Sequence, residues 1–238
     1  MTTVLGAVFA LALLDQFLNQ PRAHTAAWTL GMLAFTLGVF AQVWGVAGGW
    51  NDAVYRLWYW CGAIVGALWL GVGSIYLLAR GRWWGHAFAV GAALISLVGA
   101  IVLLTSSIAP GFAFPGPERV IRGDGIAESA RRVAAVANIL GTLAIVGVAL
   151  WSAWRFYRSR RNPRRGVSNV AIAVGTGIVA AGGSLSRFEV SVPFYLTQLA
   201  GLAVIFAGFL VSVEVFALFR VPFTGGGVLR PGAGNDAS

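Results

Sequence analysis

Few side chains in this sequence could do chemistry inside an apolar medium. Asp15 and Glu214 are the only carboxylates within or at the edge of the long apolar stretches. An acid at such depth is costly to ionise, which points to proton or substrate coupling. Glu214, however, stands only about 8 Å of helix rise from the end of its segment at residue 219. Snorkelling to water or pairing with Arg220 therefore favours an interfacial role. His24 and His86 each begin an apolar segment on the same predicted side. Two imidazoles on neighbouring helices could ligate a b-type haem, against the plainer reading of histidines lying in the interface.

The remaining chemistry is narrow. The chain has no lysine, so it offers neither a Schiff base nor a P-loop lysine. Two histidines and one cysteine, Cys61, provide no HExxH motif, no Cys-based zinc site and no intrachain disulfide. A G-x-S-x-G nucleophile elbow is absent. The expectation is no catalytic residue and no metal, with haem as the single cofactor to weigh.

A second group of side chains suits binding. Gln42, Asn138, Thr197 and Gln198 are amide or hydroxyl groups near the predicted outer side, and Arg187 is a further polar candidate there. With Trp44, Tyr55, Trp58 and Tyr195 they would make an outward-facing aromatic pocket for a small amphipathic ligand or a lipid headgroup. The plainer reading makes the rings an interfacial belt and the amides bonds between helices. Arg122-Gly123-Asp124 spells an adhesion tripeptide, which means little without structural context.

The elements that must position these groups are set by composition. Hydrophobic residues make up 58% of the 238, charged residues only 11%, and the mean hydropathy is +0.78. Soluble domains carry about 25% charged residues, so the chain reads as a multi-pass membrane protein of the cell membrane. Seven apolar segments are long enough to span: 2–18, 25–46, 54–79, 83–106, 132–155, 167–185 and 194–219. The predicted fold is all-α, one seven-helix transmembrane domain over 1–222 followed by a Gly/Pro-rich cytoplasmic tail over 223–238. The first segment lacks a basic leader and a small-residue cleavage site, and so reads as a retained helix.

Charge sets the expected orientation. All seventeen basic residues are arginines, and with the 155–165 loop inside, eleven lie on the inner side and six outside. That bias places the N-terminus out and the C-terminus in. The net charge of +9 follows helix ends, which suits anionic lipid headgroups rather than nucleic acid.

The segment from Trp44 to Trp84 is the organising stretch. At helical spacing Trp58, Gly62, Gly66, Trp69, Gly73 and Tyr76 fall on one stripe of small gaps between large rings. Gly62, Gly66, Trp69 and Gly73 are therefore the expected helix-packing positions. With no catalytic constellation, the leading functional expectation is a non-catalytic subunit or accessory protein, partnered by the lipid bilayer and by other membrane subunits or itself. The alternatives are a small transporter or sensor using the aromatic pocket, and a haem protein or membrane enzyme.

Overall fold

A backbone in hydrocarbon must satisfy its hydrogen bonds within its own segment, and among the described residues every regular element is a helix. The computed structural model describes residues 1–79, 82–116, 120–159, 163–185 and 191–212. In chain order the helices are α1 (Thr2–Asn19), α2 (Ala23–Gly48), α3 (Asp52–Ala79), α4 (Trp83–Thr105), α5 (Glu128–Ser159), α6 (Pro163–Leu185) and α7 (Ser191–Ser212). Six of them hold spans long and apolar enough to cross a membrane. In α6 the apolar stretch is the shorter Val167–Gly182. The protein is a membrane helical bundle. Glu214, Arg187 and the 223–238 segment lie outside the described residues.

Turn chemistry explains the joints. Gly49 takes φ +93°, a conformation that favours glycine, and so turns the chain tightly between α2 and α3. Asn51 then caps α3, its side-chain oxygen accepting from Val54 N at 3.0 Å, with Asp52 in the first turn to complement the helix dipole.

Packing closes the chain on itself. Helix α1 packs on α2, α2 on α3, α3 on α5, α5 on α6 and α6 on α7, which returns to α1. Six helices thus form a ring, with α4 outside it against α3 and α5. Val90, Leu94, Leu97, Ile101 and Leu104 of α4 are left exposed, an apolar face suited to lipid.

Two cores fill the bundle. The larger is centred on Tyr55, Tyr59, Ile64, Leu68 and Val72 of α3, packed against Ala130, Ala134 and Ala137 of α5. Ile121 and Ile126 of the α4–α5 loop complete it. The smaller joins Phe9 and Leu13 of α1, Met32 of α2, and Leu202 and Phe209 of α7. Phe9 contacts both Phe206 and Phe209, with ring centroids 4.9 and 5.1 Å apart. These rings bridge the ring of helices where its backbones stand apart.

Helix α3 is interrupted: Trp60–Gly66 is a π segment between two α-helical stretches, Asp52–Tyr59 and Ala67–Ala79. A π turn inserts a residue into the α-helical ladder, which offsets the two stretches by roughly 100° compared with an unbroken helix. The single stripe expected along α3 is therefore split. Gly73 receives the Trp28 indole of α2, and Gly66 packs against Phe35 of α2. Trp69 turns instead toward α4. Gly62 is exposed and a Cβ there would meet open space, although its backbone N lies 3.0 Å from where a Gly38 Cβ would stand.

Candidate functional site

Aromatic rings gather where α3 begins, beneath the α4–α5 loop. Tyr55 is fully buried. Its hydroxyl donates to Arg122 O at 2.5 Å and accepts from Gly125 N at 3.2 Å. The ring stacks on Trp58 and Phe112, with centroids 5.7 and 5.3 Å away, and meets Trp50 and Phe114 edge-on. The loop is thus pinned by one phenol that has both an apolar body and a polar tip. Ala109 N donates to Gly125 O at 3.0 Å, closing the loop on itself.

The Arg-Gly-Asp tripeptide sits in this cap. Arg122 Nε pairs with Asp124 Oδ2 at 3.0 Å, and Gly123 packs against the Tyr59 ring. Both charged side chains turn on each other, and the glycine serves as a seat for an aromatic. The motif's residues are used in building the loop.

Below the cap, side chains brace the interrupted stretch of α3. Asn138 Nδ2 of α5 donates to Ala63 O, inside the π segment, at 2.6 Å and to Ala134 O on its own helix at 3.1 Å. Trp60 Nε1 donates to Ser96 O at 3.0 Å, and Trp69 Nε1 to Ser96 Oγ at 3.1 Å. The Ser96 hydroxyl in turn donates to Ala92 O at 2.8 Å. Ser96 of α4 therefore serves two indoles, one in the π segment and one just beyond it.

The structure distributes the predicted pocket residues over three places and leaves Trp44 apart from all of them. Tyr55 and Trp58 belong to the cap, and Asn138 to the α3–α5 seam. Gln42 and Tyr195 approach each other across α2 and α7. Gln42 is 2% exposed, and its Nε2 lies buried outside hydrogen-bonding geometry. Thr197 bonds Phe194 O at 2.9 Å and seats against Gly182, while Gln198 is half-buried beside it on α7. Trp44 is 55% exposed and leans on Phe40, so it faces away from the others.

The titratable candidates each have their own neighbours. Asp15 is half-buried near the end of α1, its carbonyl accepting from Asn19 Nδ2 at 2.8 Å. His24 stands edge-on to Trp28, at 5.3 Å between centroids. His86 is exposed, and its Nδ1 shares a hydrogen bond with the Tyr76 hydroxyl at 3.1 Å. The two histidines thus take different aromatic partners. Among the described residues no three His, Cys, Asp or Glu side chains gather as metal ligands.

Sequence reasoning passed over Ser96, Phe112 and Phe114, all of which build this end of the bundle. Phe112 and Phe114, flanked by prolines in a polar connection, were a legible hint of a loop with its own apolar core. The Ser96 contacts carried no such signal, because a serine in an apolar helix reads as a small residue. No protein family, curated protein or solved structure matches the chain.

Proposed function

We propose that this protein is a non-catalytic scaffold of the membrane, an accessory chain or subunit of a larger membrane assembly. One observation carries the reading: four side chains reach across the bundle and spend their hydrogens on backbone carbonyls. Asn138 braces Ala63 O, Trp60 braces Ser96 O, Tyr55 braces Arg122 O, and Ser168 donates to Gly208 O. Such bonds fix helices against each other and leave those polar groups engaged away from any substrate.

In the same reading all seven helices span, with the N-terminus out and the C-terminus in. The 16-residue apolar stretch Val167–Gly182 is about 24 Å long as a helix and crosses with its flanking turns. The arginine bias supports the orientation. Trp151 and Trp154 form an interfacial pair near the inner end of α5, where Arg158 lies 5.6 Å over the Trp154 ring.

Native mass spectrometry of protein extracted from its own membrane in mild detergent tests the assignment. A second membrane chain at fixed stoichiometry is expected. A lone monomer from intact membranes would overturn it. A Soret band in the same material would instead support the haem alternative.

A further inference from the structure

The geometry points to a conformational joint in α3: the π segment Trp60–Gly66 couples the cap to the helix ring by shifting between π and α register. The two halves of α3 share α2 as a neighbour but differ in their further anchors. The first half carries Tyr55 and Tyr59 and is tied to the α4–α5 loop through Arg122, Gly123 and Gly125. The second half is seated backbone to backbone in the ring, where a Gly71 Cβ would come within 2.9 Å of Gly141 Cα. Between them lie seven residues in the less stable π form, a geometry that recurs where helices change register.

The joint has a latch and room to move. Ala63 O lies inside the segment, where the regular i→i+4 ladder is broken, and it accepts from Asn138 Nδ2. Returning to α register re-aims that carbonyl and so breaks its alignment with Asn138. The Cβ direction of Gly62 is open and its backbone packs on Gly38 of α2, so rotation of this turn slides one glycine backbone past another and meets no side chain there. Shifting by one residue turns the cap half by roughly 100° relative to the ring half, which strains the Tyr55 and Trp60 anchors. Displacing the cap loop relieves that strain. A partner or ligand that moves the loop is therefore transmitted to the α3–α5 seam, with binding energy shifting the balance between the two registers.

Cys61, buried within the segment at 1% exposure and the sole cysteine, reports on the joint directly. The rate of its alkylation by N-ethylmaleimide is measured on the full chain in detergent micelles, with circular dichroism to confirm helix content. Asn138→Leu, which removes the latch, is expected to raise the rate on the order of tenfold, the effect of releasing one hydrogen bond. Tyr55→Phe, which loosens the cap without touching Asn138, is expected to raise it in the same direction by less. Unchanged labelling in Asn138→Leu with helix content intact overturns the joint. A response to Asn138→Leu but none to Tyr55→Phe overturns its coupling to the cap. Hydrogen exchange on the unmodified protein needs no variant: residues 60–66 should exchange faster than both flanking stretches of α3, and uniform protection along the helix would also overturn the joint.

Discussion

Two helix pairs in this bundle come equally close by different means. Helices α6 and α7 are consecutive and meet through small residues along their length: Gly175 against Gly201, Gly182 against Thr197, and Gly208 against Ser168. Helices α3 and α5 are separated in sequence by α4 and the cap loop. They meet at one glycine pair, Gly71 and Gly141, and are then braced by the Asn138 amide and covered by an aromatic cap. A hairpin of consecutive helices has little chain to organise, so shape alone suffices. A seam between distant helices needs directional bonds to select its register. Without water to drive apolar association, both rely on close packing and internal hydrogen bonds.

The largest effect that would sharpen this contrast is expected from Gly141→Leu. Its Cβ would fall on the Ala67 carbonyl and the Leu68 backbone, which cannot move as a flexible side chain can. A loss on the order of 3 kcal/mol, or no folded protein, should appear in thermal unfolding in micelles. Gly175→Leu strikes backbone at Gly201 O, 2.7 Å from the added Cβ, but on a hairpin free to splay. About 2 kcal/mol is expected there; a cost equal to that of Gly141→Leu would erase the distinction between the seams.

Tyr55→Phe keeps the stack but strips the cap of its hydroxyl, leaving Gly125 N without that partner. A loss of about 1–2 kcal/mol follows, together with faster proteolysis of the α4–α5 loop. Ser168→Ala removes a hydroxyl bonded to Gly208 O and should cost only about 0.6 kcal/mol, since shape dominates that seam. Trp44→Ala, on an exposed ring, should stay within about 0.5 kcal/mol of the parent in the same unfolding measurement. A large loss there would mean that Trp44 is covered in the membrane by something other than lipid.

How much of this was legible depends on distance along the chain. The small residues of α6 announce a close neighbour, and α7 follows within a few residues. The cap is a harder case. Trp58 and Tyr55 read as an interfacial belt or a pocket wall, because nothing local shows that Phe112 and the Arg122 carbonyl, the latter 67 residues beyond Tyr55, will arrive there. Along α3 the spacing of Gly62, Gly66, Trp69 and Gly73 assumes 3.6 residues per turn throughout. The π segment breaks that assumption, so the stripe divides: Gly62 meets Gly38 of α2 through its backbone, Gly73 seats Trp28, and Trp69 turns toward α4.

By itself the sequence determined the solvent and the backbone's response to it. With 58% hydrophobic and 11% charged residues, hydrocarbon is the medium, and there only internally bonded helices satisfy the main chain among the described elements. Tertiary structure alone decided which carbonyl each stray donor would find. Asn138, Trp60 and Tyr55 bond backbone 75, 36 and 67 residues away, and α3 departs from α register between those anchors. A π turn costs free energy locally and persists where the surrounding packing and cross-helix bonds hold it. Those partners meet only when the ring closes.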